Sequence, residues 1–405
     1  MSTLPFKTAL LSISLLAMLT SCNKIADVPQ QYMRAGNSLA LADDGNLIIA
    51  GYNSSSINVF NAALIKANAS NGDTLWEKTY GGSYSDAFYN VRKSNKGGYI
   101  ATGFTNRSST GSPSMFVVIT DATGKQLQSL TYGGNDYSQG FCVLPDADSG
   151  YLVAGYIQKS GTYDRDIFLV RINDVGAVIW QKRIGAKSAD SYASVNEEAY
   201  GVVAAPDGGY FLTGSLNAAY NNDGGEIFLM KVSSTGDSLW TKTFGYGFGF
   251  SLTSTHNGGI EDGGIAISGC IIEGSNQDVF LLKTDTTSTG ILFPAWTAIK
   301  TFGGTGYEYG ASIIETSDGG FAITGITQES SGLGNQDVFL VRTNSTGESS
   351  WEKMYGGTDN DQGYGLVQMP DNGFCITGLS NSGGSFIFLN RTSSDGTQVW
   401  EKKIQ

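Results

Sequence analysis

The sequence predicts an all-β fold, a seven-bladed β-propeller with four antiparallel strands in each blade. Three observations lead there. One phrase ending in glycine recurs seven times, at Gly51, Gly103, Gly155, Gly214, Gly269, Gly325 and Gly378, in steps of 52, 52, 59, 55, 56 and 53 residues. Glycine supplies 55 of 405 residues, about twice the usual ~7 %. No stretch with a 3.6-residue apolar period recurs, so helix-repeat solenoids are excluded.

Composition removes other classes. Charged residues are 15 % and aromatics 11 %, the reverse of a disordered chain. Collagen needs abundant Pro, and only 7 are present. Glycine inside helices costs ~1 kcal/mol per site. The 37 acids outnumber the 25 bases, for a net charge of −12. That balance lacks the basic face of a nucleic-acid binder, so no nucleic-acid partner is expected.

Each repeat reads as four strands, and the copy at 311–355 is the clearest. Strand one is Ala311–Glu315. Asp318-Gly319-Gly320 makes a tight hairpin, because a two-residue turn needs positive φ. Strand two is Phe321–Gly325. A polar loop leads to strand three, Asp337–Thr343, which is apolar on consecutive residues and therefore buried on both faces. Gly347 turns the chain into strand four, Ser350–Tyr355, which carries Trp351. A four-stranded sheet covered on both faces and repeated at this period is a propeller blade. The first repeat opens near Gly36 and the last ends at Gln405. Ring closure is therefore expected from packing between blades, not from a blade shared by both termini. Insertions fall between strands, at Ala186–Glu198, Asn217–Gly225 and Asp285–Pro294.

Residues 1–21 read as a signal peptide. Lys7 is followed by an apolar run, Ala9–Leu19, too short to span a bilayer comfortably. The run ends in Leu19-Thr20-Ser21-Cys22, which resembles the lipobox of bacterial lipoproteins. That resemblance implies lipidation (palmitate) of Cys22, residues 22–34 as a tether, 35–405 as the propeller, and delivery to the cell envelope, with the outer membrane favoured. Cys142, Cys270 and Cys375 sit in separate apolar strands and read as buried small hydrophobes. His256 is the only histidine. A His-based metal site or catalytic triad is thereby excluded, and His256 itself is expected on a surface loop. Asp359-Asn360-Asp361 misses EF-hand spacing, so a solvated turn is expected there. No metal and no cofactor are expected.

The Gly-x-x-x-Trp phrase, as in Gly347-Glu348-Ser349-Ser350-Trp351, resembles the tryptophan-docking motif of quinoprotein-type propellers. It implies a blade-docking role for Trp76, Trp180, Trp240, Trp296, Trp351 and Trp400; Gln128 stands at this place in the second repeat. Eight blades, calcium ligands and an adjacent Cys pair are not seen, so quinone binding is disfavoured. The whole repeat, with Asp-Gly-Gly-Tyr/Phe, Thr-Gly and Trp-x-Lys-x-Tyr/Phe-Gly-Gly, is similar to repeat lipoproteins and secreted proteins of Bacteroidota. Some members of that family carry an endoglucanase-like label.

The links from strand four to the next strand one are the segments richest in chemistry. They hold Tyr84 and Asp86; Asp136 and Tyr137; Asp190 and Tyr192; Phe248 and Phe250; Tyr307 and Glu308; and Asp359, Asp361 and Tyr364. Aromatic faces beside carboxylates suit sugar rings, which offer both C–H faces and hydroxyls. A glycosidase would need two carboxyls about 5–9.5 Å apart, and no pair stands out, so no catalytic residue is assigned. A cation ends strand three in six repeats, at Lys66, Arg171, Lys231, Lys283, Arg342 and Arg391, with Ile119 the exception. Pairing with an acid of the same blade is expected. The expectation is a monomeric, lipid-anchored propeller binding an envelope protein or polysaccharide. The alternatives are a glycan hydrolase and a subunit of an outer-membrane assembly machine, by analogy with the propeller lipoprotein of the barrel-assembly machinery.

Overall fold

The computed structural model describes residues 33–405 except 57–58, 107–112, 147–149, 163, 186–195, 219–223, 258–259, 275, 287–291, 295–298, 329–331, 333 and 382–383. The signal peptide, Cys22, Asp190, Tyr192 and Trp296 lie outside the described residues. Every element among the described residues is a strand.

Five sheets have four antiparallel strands in simple sequence order. The first contains Arg34–Leu41 (β1), Leu47–Ser56 (β2), Val59–Ala67 (β3) and Thr74–Tyr80 (β4). The second contains Asp86–Lys93 (β5), Tyr99–Asn106 (β6), Pro113–Thr120 (β7) and Gln126–Tyr132 (β8). The third contains Tyr137–Pro145 (β9), Tyr151–Gln158 (β10), Arg165–Ile172 (β11) and Val178–Ile184 (β12). An eight-stranded sheet follows, with Asn196–Ala204 (β13), Tyr210–Ala218 (β14), Gly225–Val232 (β15), Ser238–Asn257 (β16), Ile260–Glu273 (β17), Asn276–Thr286 (β18), Leu292–Pro294 (β19) and Lys300–Phe302 (β20). The last two sheets are Tyr309–Glu315 (β21), Phe321–Thr327 (β22), Asp337–Thr343 (β23) and Ser349–Tyr355 (β24), then Asp361–Gln368 (β25), Phe374–Ser380 (β26), Phe386–Thr392 (β27) and Gln398–Ile404 (β28).

The large sheet arises from one long strand. The first half of β16 pairs with β15, from Val232↔Ser238 to Gly225↔Gly247. Its second half pairs with β17, from Gly247↔Ile271 to Asn257↔Ile260. β16 runs through this point although Gly245 and Gly247 have φ of 128° and 147°, whereas the link at Gly356 (φ 134) separates β24 from β25. His256 consequently lies on β16 and not on a loop, and its Nδ1 is 2.6 Å from Glu315 Oε2.

The tight two-residue hairpin expected from Asp-Gly-Gly is a longer loop. The ladder stops at Glu315↔Phe321. Thr316 N donates to Gly320 O, and Gly319 N to Thr316 O, each at 2.8 Å. Only Gly319 of this loop has positive φ, at 79°. An i→i+3 turn closed by one left-handed residue uses a single glycine for φ and leaves Asp318 available to pair outward.

The first strands touch in cyclic order, β1, β5, β9, β13, β16, β21, β25 and back to β1. Each carries a bulge at the same place, on Asn37, Tyr89, Phe141, Tyr200, Phe250, Ala311 and Tyr364. A bulge re-aims its side chain. Here the aromatic ones converge: Tyr89–Phe141, Phe141–Tyr200 and Tyr200–Phe250 centroids are 5.6, 5.1 and 5.5 Å apart. One buried cluster containing them draws residues from every sheet. The axis is thus filled by side chains.

The remaining apolar clusters join two neighbouring sheets, except one that lies between the two halves of the eight-stranded sheet. Ile48 and Leu64 meet Val91 and Phe116, for example, and each such buried aliphatic contributes roughly 1.5–3 kcal/mol. The first and last sheets are joined in the same way, by Ile49 and Ile65 against Ile387, Leu389 and Ile404. Arg34 N also donates to Ser385 Oγ at 3.1 Å across this seam.

Candidate functional site

Strand direction gives the ring two ends. One carries the links from each fourth strand to the next first strand. The other carries the Asp-Gly-Gly hairpins and the turns before tryptophan. The link end gathers the residues that the sequence singles out for binding.

Those residues divide by burial. Asp86, Glu308 and Asp361 are 0 % exposed. Asp86 Oδ2 accepts from Gly82 N at 2.8 Å, and Asp361 Oδ2 from Gly357 N at 2.7 Å. Glu308 Oε1 accepts from Thr327 Oγ1 at 3.0 Å. Each carboxylate sits under a glycine of its link with positive φ, namely Gly81, Gly303 or Gly356. These acids brace the links from below. Burial pushes the Asp86 carboxyl up to about 6, against the bonds from Thr105, Gly82 and Asn106. Tyr364 is buried with its hydroxyl on Gln362 Oε1, while Phe248 and Phe250 stack in the axial plug at 5.5 Å.

Tyr84, Tyr307 and Asp359 are exposed, and Asp136 and Tyr137 are half-buried. Tyr246 joins them at 45 % exposure, against 36 % for both Tyr84 and Tyr307. Its place inside the uninterrupted β16 hid it from sequence reasoning, which sought tyrosines next to acids in links.

A charged cluster at the same end also escaped the sequence reading. Arg165 Nη1 lies 2.5 Å from Glu198 Oε1, and its guanidinium sits 4.5 Å from the Tyr156 ring centroid. Tyr200 donates its hydroxyl to Glu198 Oε2 at 2.6 Å. Beside it, carboxylate oxygens of Asp164, Asp166 and Glu197 lie within 4.8 Å of one another. Burial raises the Asp166 carboxyl, while Arg183, bonded to it, opposes the rise. Among the described residues this group could offer three carboxylate oxygens to a cation. The signal available in sequence was the charge run Asp164-Arg165-Asp166 facing Glu197-Glu198 from the neighbouring repeat.

The tryptophans do structural work at the opposite end. A Cβ at Gly124 would meet the Trp76 ring at 2.9 Å, at Gly236 the Trp180 ring at 2.6 Å, and at Gly396 the Trp351 ring at 2.9 Å. In each case the glycine belongs to the turn of the next repeat. Trp400 meets Gly72 of the first repeat in the same way, at 2.7 Å. Trp240 packs into the seam beside Phe211, with centroids 6.0 Å apart. Leu130 covers Gly176 where the second repeat lacks Trp. The six strand-three cations each pair with a hairpin Asp of their own repeat: Lys66–Asp44, Arg171–Asp146, Lys231–Asp207, Lys283–Asp262, Arg342–Asp318 and Arg391–Asp371. Cys142, Cys270 and Cys375 are buried free thiols; burial pushes Cys142 and Cys375 up to about 12.

A cyclic array of antiparallel sheets around a filled axis has one name. The chain is a β-propeller. No protein-family model matches it, and no curated protein matches it in sequence. Among solved structures, a puromycin hydrolase aligns over 95 % of this chain and 55 % of its own, with a TM-score of 0.51 and 12 % identity. The Pan2 WD40 domain of Neurospora crassa aligns over 89 % and 96 %, with a TM-score of 0.49 and 10 % identity. A protein of unknown function from Bacteroides caccae aligns over 80 % and 94 %, with a TM-score of 0.45 and 13 % identity. At such identities the likeness concerns the propeller fold alone.

Proposed function

We propose that the chain is a seven-bladed propeller held in the cell envelope by lipid on Cys22, and that its link face binds an envelope polysaccharide or protein. Seven blades follow if the eight-stranded sheet counts as two blades fused through β16. The lipobox-like Leu19-Thr20-Ser21-Cys22 supports the anchor. The repeat's similarity to Bacteroidota lipoproteins supports the envelope setting.

One observation carries the binding reading. Among the described residues the exposed aromatics are Tyr84, Tyr246 and Tyr307, and all three stand at the link end. The large exposed hydrophobic side chains elsewhere, among the described residues, are aliphatic. A tyrosine offers an apolar face and a polar tip, which suits sugar rings and polar protein surfaces alike. The link carboxylates Asp86, Glu308 and Asp361 are meanwhile engaged in holding the turns.

The test is binding of the mature chain to envelope polysaccharides and to crosslinked envelope proteins, with Tyr84→Ala and Tyr307→Ala compared. Loss of at least fivefold in affinity is expected. Unchanged affinity in both variants would overturn the link-face assignment. A stable membrane-protein partner captured through this face would favour a role within an assembly machine. A second reading rests on Asp166 and Glu197: carboxylates this close resemble the pair of a retaining glycosidase, for which separation is about 5 Å. Glycan turnover abolished by Asp166→Asn or Glu197→Gln would replace the binding reading with that one.

A further inference from the structure

The hairpin end repeats one three-residue arrangement, which lets the chain serve as its own control. An Asp in the hairpin pairs with the cation ending strand three, and that cation stands opposite a Trp in the ladder. Asp318, Arg342 and Trp351 are one instance.

In the second sheet all three positions change together. Lys96 precedes Tyr99 by three residues, as Asp318 precedes Phe321. Ile119 stands where the cation belongs and pairs with Gln128 in place of Trp. Lys96 turns instead to Asp174 of the next sheet. A cleft of about 210 Å³ occupies this spot, lined among others by Lys96, Ile119, Asp121, Leu127, Tyr151 and Asp174.

That volume is below the roughly 300–1,000 Å³ of small-molecule pockets, and it leaves room for a single long side chain. Ile119, 4 % exposed, forms an apolar floor, and Leu127, 56 % exposed, forms the rim. The lining carries two carboxylates and one ammonium. Asp121 is held by Thr123 N at 2.8 Å, Thr123 Oγ1 at 2.7 Å and Lys125 N at 3.0 Å, all on Oδ1. An apolar stem with a cationic head matches this lining.

A second observation marks the same seam. Five exposed aliphatics among the described residues, Leu75, Leu127, Ile179, Leu239 and Val399, each precede the Trp position of a repeat, and the third repeat alone adds two more, Val175 and Val178. Val175 is the neighbour of Asp174, and Val178 and Ile179 open β12.

We propose that this cleft receives a lysine or arginine side chain from a partner polypeptide, its stem on Ile119 and its charged head on Asp121, where the repeat lacks a strand-three cation of its own. The surface is separate from the link face and does not depend on its ligand.

The experiment is a titration of the mature chain followed on the Ile119 and Leu127 methyl signals. The probe is acetyl-Leu-Lys-Leu-amide, compared with the same peptide acetylated on the lysine Nζ. The lysine peptide should shift both signals, and the acetylated peptide should bind at least fivefold more weakly. The double variant Lys96→Asp/Ile119→Arg installs the ion pair present elsewhere and should lose binding at least fivefold without a fall in Tm. Asp121→Asn, which keeps the turn acceptor but removes the charge, should weaken binding as well and serves if the double variant misfolds. Equal affinity for the two peptides, undiminished binding in the variants, or no methyl shift at millimolar peptide would overturn the proposal.

Discussion

Single residues here act mainly by removing freedom from turns. Gly208 and Gly236 share a φ of +81°, yet a Cβ at Gly208 would meet nothing within 4 Å, while one at Gly236 would meet Trp180 at 2.6 Å. Gly208→Ala should therefore cost the backbone term alone, ~1–2 kcal/mol. Gly236→Ala should cost about 1–3 kcal/mol more through overpacking. Urea unfolding of both measures the difference, and equal losses would remove Trp180 from the docking role. Asp86 gives a pH test. Its folded carboxyl titrates near 6, above the 3.8 of an unperturbed Asp. The folded state then holds a proton that the unfolded chain has released, so this group's contribution to stability falls as pH rises from about 4 to about 6. The stability of wild type relative to Asp86→Asn should decline by at most about 3 kcal/mol over that window. A difference independent of pH would contradict the burial. Neither effect was legible in sequence, where Asp86 looked like a surface acid in a polar link. Its inward turn is decided by the Gly81 conformation and by Thr105 on the neighbouring strand.

At the scale of elements the repeat pattern was readily legible. The strand pattern of each copy and the buried third strand follow from period and apolar run length, whereas the half-exposed fourth strand does not. The six cation–Asp pairs were foreseeable because both partners recur at fixed distances from the hairpin. The bulge in each first strand was not. It places Tyr89, Phe141, Tyr200 and Tyr364 on the axis, a consequence of register that a list of residues does not show. The fusion through β16 was hidden too, since Gly245-Tyr246-Gly247 reads like the other glycine links. The fourth strand of the last sheet carries a direct test. A chain ending at Gly396 lacks β28, and with it Trp400 against Gly72 and Ile404 in the closing cluster. Its Tm should fall by several degrees. An unchanged Tm would show that closure does not depend on that strand.

The whole molecule joins a rigid ring to an expected lipid tether. If the proposed lipid on Cys22 is the anchor, Cys22→Ala should move the protein from the membrane fraction to the soluble one. Persistent membrane association of that variant would point to a protein contact instead. The ring itself is held at each seam by aliphatic packing. The first and last sheets meet in the same manner as any other pair, so both ends of the propeller domain contribute intact sheets. Sequence by itself determined the repeat and the place of each turn, because these depend on contacts within one copy. Glycine and aspartate recur at fixed offsets for that local reason, whereas each docking tryptophan meets the turn glycine of the next copy. Tertiary structure alone decided which polar residues face solvent, what fills the axis and where the second repeat leaves a cleft. Those properties arise between copies, where residues about fifty positions apart or at opposite ends of the chain meet.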